Sequence, residues 1–323
     1  MTKRKVLVTR FVPYVLEQLA KDPTIEVDCY ERDDEAIPLN ELITRAAGCV
    51  GILCIISDKI TKQVLDAAGP TLKVVSTISA GYDHIDIALC RERGIKVGHT
   101  PGCLHICTAE LAVGLTLAAK RRLFESNRCA SEGDWGVIQM YCGTDVSGCT
   151  VGIIGLGEIG LAYARMMQYG FQCKILYTGP REKTIPQGIN ATYVDLNRLL
   201  EQSDVVSVHC PLNADTRYLI NAQAFERMKK DAVLVNTARG DVVDQEALLN
   251  ALQSSKIAAA ALDVTSPEPL PRTHPLFQQR NCIIVPHIAS ATIRTRHAMC
   301  DRGLANLVAG ISDQPLPNPV FMD

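Results

Sequence analysis

The sequence has no Cys-x-x-Cys pair, no apolar run near membrane-spanning length, no strong net charge, no internal repeat and no low-complexity segment. Its 13 cysteines are spread from Cys29 to Cys300 with no secretory leader ahead of them, so reduced, mostly buried thiols are expected rather than a disulfide framework. The longest apolar run, LAVGLTLAA from Leu111 to Ala119, falls far short of the ~18 residues that a membrane span needs. A net charge of -2 gives no basis for a nucleic-acid or anionic-membrane partner. The last residues, FMD, match no organelle address, so a cytoplasmic protein is expected.

What is present fits an ordinary globular enzyme. At 323 residues, 47% hydrophobic and 21% charged, the chain is long enough for two domains. Short β-branched runs alternate with helical patterns from the start: KVLVT, YVLEQLAKD, EVDCY, LNELITRAAG, VGILCII and onward to IKVGHT. Uninterrupted apolar strands between helices imply parallel strands covered on both faces, hence a doubly wound α/β unit. A helical stretch from Thr108 and an irregular arm, GDWGVIQMYCGTDVSG, precede a second α/β series that opens at TVGIIG and ends near NCIIVP. A last helical segment, from about Ile293 to Gly310, is free to return to the first domain. The expected fold class is therefore α/β, with two doubly wound parallel-sheet domains of Rossmann and flavodoxin-like type: a substrate domain from residues 1–103 and 294–323, and a dinucleotide domain from 104–293.

Gly155, Gly157 and Gly160 form G-x-G-x-x-G between an apolar strand and the helical pattern EIGLAYARMMQYG. In that context the first glycine makes the tight turn, the second admits the pyrophosphate, and the third lets helix pack on strand. The acid that usually ends the next strand is missing, and Thr178 occupies its position. An acid there would repel a 2′-phosphate, whereas Thr178, Gly179, Arg181 and Lys183 make a polar collar with two cations. NADPH is thus the expected cofactor, with NADH possible at lower preference. The bland alternative is a solvated loop in which Glu182 offsets part of the charge.

Three later stretches, VLVNTARGDVVD, ALDVTSPEPL and IIVPHIASAT, carry polar residues at strand ends, where ligands bind in open α/β sheets. Arg239, Glu268 and His287 suit reduction of a 2-oxo acid. A guanidinium holds the carboxylate and polarises the ketone, an imidazole donates the proton, and a carboxylate orients the imidazole. Singly, Arg239 reads more readily as a surface ion pair, Glu268 as a solvent-facing acid and His287 as a satisfied core histidine; their joint pattern carries the assignment. Cys103, His105 and Cys107 suggest a metal only superficially, because no second ligand pair follows at zinc-like spacing; no metal is expected.

GIIGLGEIG, NTARGDVVD, ALDVTSPEPLP and PHIASAT, in this order, closely resemble the D-isomer-specific 2-hydroxyacid dehydrogenases. LKVVSTISAGYDHID, LYTG and KIAAAALDVTSPEPLPRTHPL resemble in particular the branch that reduces glyoxylate and hydroxypyruvate, and the similarity runs from about Lys5 to the last helix. The resemblance implies NADPH-dependent reduction of hydroxypyruvate to D-glycerate and of glyoxylate to glycolate, with Arg239, Glu268 and His287 in the family's catalytic roles. It implies that the backbone N–H groups of Ala80 and Gly81 meet the substrate carboxylate, with Ser290 beside the histidine. On the cofactor side it points to Gly157, Glu158, Ile159, Arg181, Pro211, Thr237, Asp263 and Ala289. It also implies a homodimer with the active site in a cleft between the two domains.

Two departures bear on this. Ala289 replaces a glycine, with a small effect expected unless the position has positive φ. The arm is shorter than in the animal reductases and carries Met140 where a substrate-pocket tryptophan aligns; the only tryptophan, Trp135, comes too early to replace it. The alternatives are another D-2-hydroxyacid dehydrogenase (the chain has no room for the regulatory domain of phosphoglycerate dehydrogenases, and Thr178 replaces the acid of the lactate and formate enzymes) or a dinucleotide-sensing corepressor-like binding protein, whose long disordered tail this chain lacks.

Overall fold

The computed structural model describes residues 3–32, 35–133 and 135–321. The chain divides into two compact units, Met1–Leu104 with Thr292–Asp323, and His105–Ala291. Among the described residues no helix is long and apolar enough to cross a membrane.

The first unit alternates β1 (Arg4–Val8), α1 (Pro13–Leu19), β2 (Ile25–Cys29), α2 (Leu39–Ala46), β3 (Gly51–Cys54), α3 (Lys62–Ala68), β4 (Val74–Thr77), α4 (Ile87–Glu92) and β5 (Lys96–Gly98). The strands form one sheet in the order β2-β1-β3-β4-β5, with every neighbouring pair parallel. All four residues of β3 and of β4 are buried, as strands covered on both faces must be. Local chemistry sets the helix starts: Pro13 stands in the first turn of α1, where its missing N–H costs nothing, and Asp86 accepts from the Leu89 N–H at 3.1 Å to cap α4. The carboxy-terminal helix returns to this sheet. Its Gly310 lies so close to Val74 that any side chain would overlap it, and the Ser76 hydroxyl donates to the Gly303 carbonyl at 2.8 Å.

The second unit opens with α5 (His105–Lys120) and α6 (Leu123–Ser131), followed by β6 (Thr150–Ile154), α7 (Glu158–Phe171), β7 (Lys174–Thr178), β8 (Ala191–Tyr193), α8 (Leu196–Gln202), β9 (Val205–Val208), α9 (Ala222–Arg227), β10 (Val233–Asn236), α10 (Gln245–Gln253), β11 (Ala259–Leu262) and β12 (Cys282–Ile284). The carboxy-terminal helix of the first unit is α11 (Ile293–Ile311). The seven strands are parallel in the order β12-β11-β10-β9-β6-β7-β8. Strand order reverses between β6 and β9, and their carboxyl ends border the crevice where such sheets bind ligands. α5 packs on α7, β10 and β11, and buries Ala109, Ala112, Leu115 and Thr116.

In one place the local pattern misleads. The sequence reads as one helix that closes at KRR and leads into an irregular arm; α5 does stop at Lys120, but a second helix, α6, follows before the arm. The break is made by Arg122, which adopts a left-handed φ of 52° while its guanidinium grips Glu125 and the carbonyls of Met140 and Cys142. That conformation is held by tertiary contacts and leaves no trace in local propensity.

Candidate active site

The glycine turn is built for close approach. Gly155 has a φ of +94°, and a Cβ there would lie 2.6 Å from the Cys210 amide nitrogen, while a Cβ on Gly160 would overlap the Gly155 carbonyl. Gly157 differs: a Cβ would meet nothing, because this position faces open space. It precedes α7, whose amino end has no side-chain cap, so the first N–H groups and the positive end of the helix dipole are left for an anion. Glu158 and Ile159 form the first turn of that helix. These features fit the pyrophosphate of a dinucleotide.

The collar beyond β7 is partly organised. Thr178 ends the strand buried, at 8% exposure, which leaves residues 179–183 to form the rim. Tyr177 folds this segment back: its hydroxyl accepts from the Lys183 N–H at 3.0 Å. The Lys183 ammonium then donates to the Leu156 carbonyl in the glycine turn at 2.9 Å, so it lies against the cradle. Arg181 is exposed and, among the described residues, has no hydrogen-bonding or ionic partner.

Two of the three proposed catalytic residues meet. His287 follows β12, Glu268 follows β11, and the imidazole Nδ1 lies 2.5 Å from Glu268 Oε1. A carboxylate accepting at Nδ1 fixes the proton there and leaves Nε2 as the nitrogen available to a substrate. His287 sits at a left-handed φ of 52°, an unfavourable conformation for a residue with a Cβ. Asp263, at the end of β11, holds that turn. Its carbonyl accepts the His287 N–H at 2.9 Å, and its carboxylate accepts the next two N–H groups, from Ile288 at 2.7 Å and Ala289 at 3.0 Å. Burial pushes the Asp263 carboxyl up, against the opposing pull of these donors and of His287. Glu268 lies between two cis bonds, Ser266–Pro267 and Glu268–Pro269.

Arg239 follows β10, and its Nη1 donates to the Ala238 carbonyl at 2.8 Å. Asn236, the last residue of β10, brackets it: the side-chain amide donates to the Arg239 carbonyl at 2.9 Å and accepts from the Ala238 N–H at 3.0 Å. Thr237 is buried between them, with its hydroxyl 3.4 Å from His209 Nδ1. Pro211 follows β9 exposed, and its carbonyl accepts the Thr216 hydroxyl at 2.7 Å. Ser290 is half-buried three residues beyond His287. In the first unit, Ala80 and Gly81 follow β4 in a braced turn: the Ser79 hydroxyl donates to the Gly81 carbonyl at 2.6 Å, and His99 Nδ1 lies 2.8 Å from the Ala80 carbonyl.

Ala289 is buried and is not among the positive-φ residues, so the methyl group that replaces hydrogen there causes no backbone strain. Its N–H donates to the Asp263 carboxylate, which ties this position to the turn at His287. Sequence reasoning missed Asn236, His209, Asp241 and Gln245. His209, directly after the mostly apolar strand VVSV, carried the same strand-end signal as Arg239 and His287; Asn236 and Gln245 act on backbone groups, and Asp241 on the Ser266 hydroxyl and Arg217, partners that the fold brings near.

Comparison with known proteins agrees with this geometry. The family profile "D-isomer specific 2-hydroxyacid dehydrogenase, NAD binding domain" matches residues 113–289. The chain is 46% identical to the glyoxylate reductase/hydroxypyruvate reductase of Homo sapiens over 97% of each chain. Among solved structures, a protein from Thermus thermophilus superimposes with a TM-score of 0.90 at 40% identity, covering 98% of this chain and 100% of that one. The NADPH-dependent glyoxylate/hydroxypyruvate reductase of Sinorhizobium meliloti, in complex with NADP and malonate, does so with a TM-score of 0.83 at 33% identity, covering 99% and 97%. With a dinucleotide cradle at the switch point and a histidine–carboxylate pair at the ends of β11 and β12, three and four strands from β6 in the same sheet, the chain belongs to the D-isomer-specific 2-hydroxyacid dehydrogenase family of oxidoreductases.

Proposed function

We propose that this protein reduces hydroxypyruvate to D-glycerate and glyoxylate to glycolate, using NADPH in preference to NADH. The observation that carries this reading is the contact between His287 Nδ1 and Glu268 Oε1 at the ends of neighbouring strands in a dinucleotide-binding sheet. Similarity to the human enzyme and to a bacterial reductase crystallised with NADP supports the substrate class.

The nicotinamide ring supplies the hydride when bound. Arg239 offers its planar donor pair to the oxo acid and polarises the ketone oxygen. Protonated His287 donates from Nε2 to the alkoxide as it forms, and Glu268 keeps the ring oriented and offsets its charge. Ala80 and Gly81 give backbone N–H groups to the substrate carboxylate, and Ser290 lies beside the proton donor. Gly155, Gly157, Glu158, Ile159 and Gly160 receive the pyrophosphate, with Pro211, Thr237, Asp263 and Ala289 toward the nicotinamide side. Arg181 and Lys183 receive the 2′-phosphate beyond Thr178. The protein acts as a homodimer, in which the exposed apolar side chains Trp135, Val137, Ile138 and Met140 are covered by the second copy.

The test is initial rates with hydroxypyruvate and glyoxylate, with NADPH or NADH at matched subsaturating concentration. A preference for NADPH that collapses in Arg181→Ala is expected. His287→Ala loses roughly 10²–10⁴ in turnover, the usual size of general acid catalysis. Equal rates with the two cofactors and no effect of Arg181→Ala remove the phosphate-collar reading, and no rate with either removes the proposed reaction.

A further inference from the structure

The turn that carries Arg239 and the segment that carries Glu268 come from different strands, yet they are fastened together at three successive points. Gly240 lies against the Thr265 carbonyl so closely that any side chain would overlap it. One residue on, the Ser266 hydroxyl donates to Asp241 Oδ1. The other oxygen of Asp241 pairs with Arg217 at 2.6 Å, and the Asp241 carbonyl accepts the Tyr218 N–H at 2.8 Å. At the first residue of α10, the Gln245 amide engages both backbone groups of Ser266. Nε2 donates to the Ser266 carbonyl at 2.8 Å, and Oε1 accepts the Ser266 N–H at 3.0 Å. Thr265 closes the segment internally, its hydroxyl donating to the Pro267 carbonyl at 2.9 Å.

This pattern is more specific than packing needs. A side-chain amide that matches both the donor and the acceptor of one residue fixes that residue in translation and rotation, and Ser266 stands two residues before Glu268. Asp241 stands two residues after Arg239 and reaches the same serine. We propose that Gln245 and Asp241 are positioning residues: together with Ser266 they form a clasp that holds the Glu268 carboxylate in register with Arg239, and so holds the proton donor over the ketone that Arg239 grips. The inference rests on the reductase reading above. Its consequence is that the clasp affects proton delivery more than cofactor binding, because among the described residues the hydrogen bonds and ion pairs of Asp241, Gln245 and Ser266 run to neither the glycine turn nor the collar.

The test uses the full-length protein and Gln245→Met, which keeps side-chain length but makes neither hydrogen bond, beside Gln245→Glu, which can still accept the Ser266 N–H. Displacements of about 1 Å from productive geometry lower turnover on the order of 10²-fold. Gln245→Met is expected to lose roughly 10- to 100-fold in kcat for hydroxypyruvate, with KM changed by less than about threefold and a larger solvent deuterium isotope effect on kcat. NADPH affinity, read by fluorescence titration without turnover, stays at the wild-type value, and Gln245→Glu recovers part of the lost kcat. Wild-type kcat in Gln245→Met overturns the clasp and leaves the reductase reading intact. So does a loss of kcat that parallels a loss of NADPH affinity and of thermal stability, since that pattern marks a general structural role. A wild-type protein that binds NADPH but reduces neither oxo acid overturns the reductase reading, and the clasp with it.

Discussion

A single imidazole at the end of β9 ties the stability of the fold to pH. His209 has its Nε2 2.8 Å from the Ser207 hydroxyl, and burial lowers its pKa to about 3. In the unfolded chain a histidine titrates near ~6.5, so between these values the unfolded state takes up a proton that the folded state refuses. The contribution of His209 is therefore fully present above about pH 6.5 and is lost as the pH falls toward 3. Urea unfolding at pH 6.5 and 4.5 should show the wild type losing on the order of 2 kcal/mol more than His209→Gln. Equal losses would mean that the ring accepts a proton in place. Asp263 has the opposite tendency, a carboxyl that burial pushes up, and it holds the strained turn at His287. At this scale the sequence was partly legible. Arg239, Glu268 and His287 stood out because polar residues at the ends of apolar runs are visible in one dimension. Asn236, Asp241 and Gln245 did not, since Asn236 and Gln245 serve backbone groups and Asp241 serves the Ser266 hydroxyl and Arg217, partners whose locations depend on the fold.

Among the elements, β6, the glycine turn and α7 separate what the fold requires from what a ligand requires. Gly155 has a φ no other residue adopts easily and abuts the Cys210 backbone, whereas Gly157 faces open space. Gly155→Ala is expected to lower stability by about 1–3 kcal/mol and dinucleotide affinity with it. Gly157→Ala should leave the melting temperature unchanged and still weaken NADPH binding, because its methyl group meets only the incoming pyrophosphate. Thermal melts and fluorescence titrations of both variants distinguish the two; equal melting losses would show that Gly157 is also a folding requirement. The strands were readable in sequence because parallel strands buried on both faces are unbroken apolar runs, as GILC and AAAL illustrate. The division between α5 and α6 was not readable, since Arg122 reaches across to carbonyls at positions 140 and 142 to make it.

For the molecule as a whole, the proposed homodimer has a built-in reporter. Trp135 is the only tryptophan of the chain and is 85% exposed, beside Ile138 at 78%. If a second copy covers the arm, tryptophan emission shifts to longer wavelength on dilution, in step with a halving of mass by analytical ultracentrifugation, and Ile138→Ser moves both transitions to higher concentration. A mass that stays at one chain at all concentrations would remove the dimer from the proposal. The two units also differ in their order of synthesis. Residues 105–291 are contiguous, so the second unit leaves the ribosome entire, while the first must wait with β3 and β4 uncovered until α11 supplies Gly303, Leu307 and Gly310. Because domains fold as units during translation, the half that begins the chain finishes folding last, and its exposed apolar strands are where a nascent copy is most vulnerable to aggregation.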